Sequence, residues 1–136
     1  LSNGDYSGGR VTPTITPSMD IQVSSNFERL LFDAGGRDGT AMAEQMRAFE
    51  ATKAMQLSNA QAQGAAALFV SARADQVETA QALQWAYHQA GQVIDPHTGV
   101  GLHGARLLAA NGTVAANVPL VTLATAHPAK FPDAVE

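Results

Sequence analysis

The chain has 136 residues, which predicts one domain or one part of a larger domain. Charged residues make up only 15% of it, against roughly 25% in an ordinary soluble domain, which indicates that part of its surface is covered by something else. A net charge of −4 without a Lys/Arg cluster argues against nucleic-acid binding. The lack of cysteine excludes disulfides and thiolate metal sites. No apolar run approaches the roughly 20 residues of a membrane helix.

The start of the chain is predicted to be irregular. Residues 1–9 are rich in Gly, Ser and Asn, which is typical of a turn or linker. Residues 10–16 alternate β-branched side chains, but Pro13 cannot donate a ladder hydrogen bond, so the pattern favours an edge strand or an irregular segment. Residues 17–25 continue as an extended or loop-like run. Because the start of the chain is polar and turn-like, we expect no signal peptide. Because it also lacks an initiator methionine, we expect the chain to be part of a longer protein.

The first predicted helix covers residues 27–33. Ser25 or Asn26 can cap its N-terminus, and Gly35 with Gly36 ends it. We expect one face of this helix to be buried, because it carries the apolar residues Phe27, Leu30, Leu31 and Ala34.

Residues 38–57 form the second predicted helix. Core packing explains its apolar face better than a cofactor role does; the face carries Met42, Met46 and Phe49, with Lys53 at the same spacing. Ser58 and Gln61 have the spacing of a capping box and predict a further helix. Residues 68–70 fit either a short strand or the end of that helix.

Asp75 and Glu78 predict the next helix start, because an acidic N-cap with a glutamate three residues later forms a capping box. The helix should run to Ala90 and end at Gly91. We expect it to bury the stripe Val77, Ala80, Leu83, Tyr87 and Ala90. Trp85 lies off this stripe, so we expect it to pack against a neighbouring element or a partner.

The last long helix is predicted from Pro96 to about Ala110. Asp95 is a preferred N-cap residue, and proline is favoured at the first helical position. The core-facing residues should be Val100, Leu102, Ala105 and Leu108. Residues 131–136 resemble the first turn of another helix.

Val118–Leu123 is predicted to be a buried strand of a mostly parallel sheet, because it is short, β-branched and apolar. The small polar residues 124–127 follow it, as they do where a strand ends at a ligand site. Residues 94–98 show a similar pattern, because the apolar Ile94 is followed directly by the polar start of a helix. Helices that alternate with such short strands indicate an α/β fold with a crevice at the carboxyl edge of the sheet.

A search for general chemical motifs yields little. The sequence has no phosphate-binding Gly loop and no zinc-type His-Glu-x-x-His motif. His97 and His103 would face different directions on one helix, which argues against a shared metal.

Three stretches, residues 17–31, 94–101 and 123–135, together closely resemble the C-terminal part of threonine synthase, a pyridoxal-phosphate enzyme family of the tryptophan-synthase-β-like fold, fold type II. The likeness is weakest over residues 35–75, a helical region that such enzymes vary. The resemblance implies that residues 1–136 are a partial C-terminal segment of a catalytic domain. The implied reaction converts O-phosphohomoserine and water to threonine and phosphate.

The same resemblance implies which groups lie elsewhere. In the family a lysine forms the Schiff base with pyridoxal phosphate, and a Gly/Asn-rich loop holds the cofactor phosphate. Neither Lys53 nor Lys130 stands in the Schiff-base motif, so no catalytic residue is assigned and the chain by itself is expected to be inactive.

Thr125 matches the family's threonine that hydrogen-bonds the pyridine nitrogen of the cofactor. Asp95 and the helix start beside it are expected to face the cofactor pocket, because a helix N-terminus favours anionic groups. The substrate side is expected to carry Ser24, Ser25, Asn26 and Arg29, although capping and surface ion pairs explain these residues equally well. His127 is expected to hold the turn rather than transfer protons.

The alternative is a non-catalytic α/β module, or a degenerate relative that binds a phosphorylated amino acid without turnover. For the enzyme we expect a small-molecule substrate, no nucleic acid, no membrane, no metal and a cytoplasmic location. The exposed half of a crevice would leave apolar surface open, so self-association of the chain is also expected.

Overall fold

The computed structural model describes residues 4–135 and contains two compact units. The first unit comprises Leu1–Val11 and Ile21–Val70, and the second comprises Thr12–Asp20 and Ser71–Glu136. The predicted turn or linker over residues 1–9 lies partly outside the described residues, and where it is described it contains a strand.

The described residues of the first unit, 4–11 and 21–70, form three helices and one small sheet. Its helices are α1 (Phe27–Ala34), α2 (Gly39–Thr52) and α3 (Asn59–Leu68), and its strands are β1 (Asp5–Ser7) and β2 (Ala54–Gln56). The two strands pair antiparallel, with Tyr6 opposite Met55. The segments 10–16 and 20–26 are irregular, which confirms one of the two alternatives for the former.

The core of the first unit is aliphatic, aromatic and sulfur-rich. Leu31 is fully buried, and the Tyr6 ring lies 4.6 Å from the Phe27 ring and 5.3 Å from the Phe49 ring, centroid to centroid. Burying a large apolar side chain contributes roughly 1.5–3 kcal/mol, so this cluster stabilises the unit. Its buried members are Leu31, Met42, Phe49, Met55 and Leu57.

The predicted α2 was too long at its C-terminus. Lys53 adopts a left-handed conformation with φ of 55°, and its N–H donates to the Phe49 carbonyl, which ends the helix. The next three residues form β2 because β1 supplies a hydrogen-bonding partner that the local sequence does not show. The Ser58 capping box is confirmed, since both of its hydrogen bonds with Gln61 are present.

The second unit is built on two helices, α4 (Gln76–Ala90) and α5 (Pro96–Ala110). Both predicted starts are confirmed: Asp75 and Glu78 form a capping box, and Asp95 caps α5. Gly91 ends α4 at a φ of 63°. Three short helices complete the unit: 3-10 helices at Pro17–Met19 and Pro128–Lys130, and α6 (Pro132–Val135). The first of these occupies only the start of the loop-like run predicted over residues 17–25, and the rest of that run is irregular as predicted.

The predicted buried stripe of α4 was wrong at four of its five residues, and Leu83 alone of the five is half-buried. Val77 is 65% exposed and Tyr87 is 59% exposed, whereas the buried residues are Thr79, Ala82 and Ala86. The physical reason is close helix packing: a Cβ added at Gly99 of α5 would lie 3.1 Å from the Leu83 side chain. The face of α4 that carries Leu83 and Thr79 is therefore the one that packs against α5.

Trp85 packs against the neighbouring helix, as predicted. The guanidinium carbon of Arg106 in α5 lies 3.9 Å from the centre of the Trp85 ring, which is a cation–π geometry. Trp85 remains 39% exposed.

The predicted buried parallel strand over Val118–Leu123 was also wrong. The segment is irregular, and Val121 and Leu123 are 77% and 75% exposed. Residues 93–94 are irregular as well, and the one sheet within residues 4–135 is antiparallel. A parallel strand needs a neighbour for its N–H and C=O groups, and the described residues place none beside this segment.

Candidate functional site

The candidate site is built around the N-terminus of α5, where Asp95 is fully buried. Its backbone is extended, with φ of −75° and ψ of 159°, and Pro96 follows at the first helical position. This is the local geometry that an N-cap aspartate and a proline favour together. The helix start is therefore fixed by sequence.

Four hydrogen bonds converge on the Asp95 carboxylate. Oδ1 accepts from the His97 backbone N–H at 2.9 Å, from His97 Nδ1 at 3.0 Å and from the Thr98 backbone N–H at 3.4 Å. Oδ2 accepts a short hydrogen bond from the Thr98 hydroxyl. A buried carboxylate needs such partners, because leaving it unpaired would cost several kcal/mol, on the order of its desolvation energy.

The protonation of Asp95 follows from these contacts. Burial raises the pKa of Asp95, but hydrogen bonds from the Thr98 hydroxyl and from His97 outweigh that effect, so the pKa lies below its ordinary value. Asp95 is therefore a carboxylate at neutral pH and acts as an acceptor.

The tautomer of His97 can be assigned from its two partners. Nε2 accepts a hydrogen bond of 3.2 Å from the Ser18 backbone N–H, so this nitrogen carries no proton. The proton then lies on Nδ1 and is donated to Asp95. The ring is buried and lies 4.7 Å from the ring of Phe131. His97 thus connects Asp95 to the 3-10 helix Pro17–Met19.

Thr98 connects Asp95 to Thr125. Its hydroxyl proton is donated to Asp95, and its oxygen accepts the Thr125 backbone N–H at 3.0 Å. The two threonine hydroxyl oxygens are 3.5 Å apart. Because Thr98 donates its one hydroxyl proton to Asp95, Thr125 must be the donor in the contact between the two hydroxyls. At 3.5 Å this contact is long for a hydrogen bond, so a closer acceptor can compete for the Thr125 proton. We call Ser18, Asp95, His97, Thr98 and Thr125 the Asp95 cluster.

Thr125 combines a held backbone with an exposed side chain. A hydroxyl in this position can meet a ligand without leaving its backbone N–H unpaired. The structure therefore brings Thr125 and Asp95 together, as the predicted crevice requires, although the strand expected before Thr125 is absent from the described residues.

His127 holds the turn that follows, as predicted. Its Nδ1 accepts from the Ala129 N–H at 3.2 Å and caps the 3-10 helix Pro128–Lys130. His103 has a different neighbour, with its Nε2 3.8 Å from a carboxylate oxygen of Glu78.

Ser24, Ser25, Asn26 and Arg29 lie in the first unit, at the start of α1, and all four are exposed. The Ser24 N–H donates to the Tyr6 hydroxyl at 2.9 Å, and Asn26 occupies the N-cap position without a side-chain cap bond. Ser25 and Arg29 line an open cavity of about 640 Å³ with Glu28 and Asp33. The acidic neighbours weaken the field of Arg29 toward an anion, because opposite charges offset each other.

Both lysines are exposed and occupy the ends of helices. Lys53 follows α2, and Lys130 ends the second 3-10 helix. Within residues 4–135, no group of three or more His, Cys, Asp or Glu side chains has the arrangement of a metal site. The helices in the described part of the chain also lack the length and apolar character needed to cross a membrane.

His97 and Thr98 were not predicted from the sequence to be parts of the site. The sequence did contain a local indication of their role: two and three residues after the N-cap Asp95 it places His97 and Thr98, whose side chains can both hydrogen-bond to a carboxylate. The partners Ser18 and Thr125 lie 79 and 27 residues away, so no local pattern could name them.

Comparisons with known proteins agree on one family. Residues 98–136 match the family model described as threonine synthase, C-terminal. Over 136 residues, all of this chain and 28% of the relative, the sequence is 42% identical to a threonine synthase of Pseudomonas aeruginosa.

Two solved structures have the same fold. One is a pyridoxal-phosphate-bound threonine synthase from Brucella melitensis, with a TM-score of 0.86 and 40% identity over 97% of this chain and 27% of that one. The other is the yeast threonine synthase, with a TM-score of 0.88 and 31% identity over 98% of this chain and 29% of that one.

The chain belongs to the threonine synthase family. It spans about 28% of the length of the curated relatives that it matches. The resemblance drawn from residues 17–31, 94–101 and 123–135 is confirmed, and so is the α/β fold class with this chain as its C-terminal part.

Proposed function

We propose that this chain supplies the C-terminal part of a threonine synthase that uses pyridoxal phosphate to convert O-phosphohomoserine and water to threonine and phosphate. The observation that carries the proposal is the likeness of nearly the whole chain, 97%, to an enzyme whose solved structure contains that cofactor. The Asp95 cluster supports it, because all five of its members lie in the stretches that carry the resemblance and its hydrogen bonds lead to Thr125.

The chemistry of Thr125 fits the cofactor ring. Its backbone N–H is bonded to Thr98, its side chain is exposed, and its hydroxyl proton is engaged only in a long contact of 3.5 Å with the Thr98 oxygen. A ring nitrogen is an acceptor, so a neutral hydroxyl donor matches it. The described residues supply this single ring contact; the phosphate loop and the Schiff-base lysine would come from other parts of the protein.

When bound, the cofactor supplies an electron-withdrawing aromatic ring. Thr125 would orient that ring by donating its hydroxyl proton to the pyridine nitrogen. Unlike a carboxylate, a hydroxyl does not hold the nitrogen protonated, so it moderates the electron demand of the ring. Asp95 would act indirectly, as the buried anion that orients Thr98, and not as a cofactor contact.

On the substrate side, Arg29 would attract a carboxylate or phosphate, and Ser24, Ser25 and Asn26 would offer short polar groups. An arginine suits this role because its planar guanidinium can make two parallel hydrogen bonds to such an anion. The exposure of all four side chains leaves them accessible to a small molecule.

The first test uses the longest natural protein that contains this chain. It should bind pyridoxal phosphate and release phosphate from O-phosphohomoserine. Thr125→Val removes only the hydroxyl and should weaken cofactor binding about tenfold, the scale of one neutral hydrogen bond, while Thr125→Ser should retain wild-type affinity. Equal cofactor affinity in all three proteins would remove Thr125 from the site.

A second test concerns the two lysines. The chain alone, with stoichiometric pyridoxal phosphate, should be inactive and show no absorption band from a lysine–cofactor bond. A band that disappears in Lys53→Arg or Lys130→Arg would overturn the proposal that the lysine lies elsewhere.

The alternative proposal is a non-catalytic module that binds a phosphorylated amino acid. It shares the exposed Arg29 region but needs no cofactor. Binding of O-phosphohomoserine without phosphate release, in a full-length protein that takes up no pyridoxal phosphate, would favour it.

Within the enzyme we place both units in one cytoplasmic catalytic domain, with residues 35–75 as its variable helical region. The rest of that domain would cover exposed apolar residues such as Phe69, Val121 and Leu123, which are at least 60% exposed here. The chain alone should then self-associate through such surface, since large exposed apolar patches favour association.

A further inference from the structure

The Asp95 cluster differs from the other helix caps of the chain in where its hydrogen bonds lead. Asp38 and Asp75 are exposed N-caps that bond only to the first turns of α2 and α4. Asp95 is fully buried, and its partners His97 and Thr98 each hold a distant segment, at Ser18 and Thr125. Helix capping alone would not require this burial or these long-range bonds.

The Thr98 hydroxyl has both a donor and an acceptor role within the cluster. It is 6% exposed, donates its hydroxyl proton to Asp95 Oδ2 and accepts the Thr125 N–H. The Asp95 carboxylate fixes the direction of the Thr98 hydroxyl, since a carboxylate can only accept. The lone pairs of Thr98 are thereby turned toward Thr125.

The bond from Thr98 fixes the position of the Thr125 backbone. Its segment is irregular and has no strand neighbour among the described residues, so its backbone depends on specific bonds. The bond to Thr98 ties it to a helix start that Pro96 and the Asp95 carboxylate make rigid.

We propose that Thr98 and Asp95 are positioning residues: the Asp95 carboxylate orients the Thr98 hydroxyl, which holds the Thr125 backbone so that the Thr125 hydroxyl faces the cofactor ring. The part of this inference that concerns the cofactor rests on the proposed function. The part that concerns the Thr125 backbone stands on the hydrogen bonds alone.

The experiment uses the full-length protein and two measurements. Thr98→Val keeps the shape of the side chain and removes its hydroxyl. Hydrogen exchange of the peptides covering residues 123–127, measured by mass spectrometry without cofactor, should become about tenfold faster at the Thr125 amide, the scale of one lost hydrogen bond. The dissociation constant for pyridoxal phosphate should rise about fivefold, and the absorption maximum of the bound cofactor should shift.

Three controls separate positioning from general destabilisation. Thr98→Ser retains the hydroxyl and should restore both readouts. Thr79→Val makes the same chemical change at another buried threonine, whose hydroxyl donates to the Asp75 carbonyl, and should leave cofactor affinity unchanged. In a Thr125→Val background, Thr98→Val should have no further effect on cofactor affinity, because the two residues act on one contact.

The outcomes are distinguishable. Wild-type exchange at Thr125 in Thr98→Val, or faster exchange with unchanged cofactor affinity, would overturn the positioning role. A wild-type protein that binds no pyridoxal phosphate would refute the proposed function, while the exchange measurement would still decide whether Thr98 holds Thr125. If Thr98→Val does not fold, the test is hydrogen exchange in the wild-type protein. A Thr125 amide that is not protected from exchange there would contradict the proposal.

Discussion

The centres of the two units are chemically opposite. The first unit packs Leu31, Met42 and Phe49 into an apolar core, whereas the second unit buries Asp95, His97 and Thr98 at the start of α5. An apolar core responds mainly to lost volume, because its contacts have no preferred direction. A buried polar cluster responds to lost donors and acceptors even when the shape is kept. A substitution that keeps the shape of a side chain should therefore be tolerated in the apolar core but not in the buried polar cluster.

The largest effect is expected from Leu31→Ala in the apolar core. Leu31 is fully buried, so the substitution creates a cavity and should lower the free energy of unfolding by about 3 kcal/mol in a urea titration. Leu68→Ala is the matched control, since Leu68 is 76% exposed, and should cost less than about 0.5 kcal/mol. Similar costs at both positions would contradict the described core.

The polar centre should be sensitive to a substitution that hardly changes shape. Asp95→Asn places an amide where four donors converge and should lower the free energy of unfolding by about 2 kcal/mol near pH 7. Asp75→Asn is the control at an exposed N-cap, where asparagine caps as well as aspartate, and should change it by less than about 0.5 kcal/mol. If Asp95→Asn is equally harmless, the carboxylate does not organise the second unit.

The stability gained from the Asp95 carboxylate should depend on pH. Its folded pKa lies below the unfolded value of about 3.9, so its contribution is present above that pH and is lost as the pH falls through the folded pKa. The difference in unfolding free energy between wild type and Asp95→Asn should therefore shrink in urea titrations from about pH 6 to about pH 3. The difference for Leu31→Ala should stay constant, because no titratable group is removed. If the stability difference between wild type and Asp95→Asn instead grows as the pH falls, the pKa of Asp95 is raised on folding, contrary to the direction given above.

The smallest effect concerns the surface of the second unit. Arg106→Met keeps the apolar stem and removes the charge above Trp85, which should cost about 0.5 kcal/mol and change the fluorescence of the only tryptophan. Arg73→Met, at an exposed position before α4, should alter neither measurement. Unchanged fluorescence in Arg106→Met would show that the pair does not persist in solution.

Helix starts were the most predictable part of the fold. Ser58, Asp75 and Asp95 each bond to backbone groups two to four residues away, and all three predicted starts are confirmed. The strand over Val118–Leu123 failed for the opposite reason, because strand formation depends on a neighbour that may be far away in sequence or outside the described residues.

The candidate site was predicted in part. Thr125 and Asp95 were named from resemblance and helix-start chemistry, and the structure places them on either side of Thr98. His97 and Thr98 were not assigned to the site, since the partners Ser18 and Thr125 are distant in sequence. The expected roles of Ser24, Ser25, Asn26 and Arg29 stay predictions.

The sequence by itself determined the helix starts, the helix ends at Gly35 and Gly91, and the family, because caps act locally and the matched stretches are nearly continuous. Only the tertiary structure decided which face of α4 is buried and which side chains reach Thr125. The close approach of Gly99 to Leu83 and Thr79 set which face of α4 meets α5. The buried Asp95 carboxylate is linked through His97 and Thr98 to two distant segments, at Ser18 and Thr125, and such convergence is a property of packing in three dimensions.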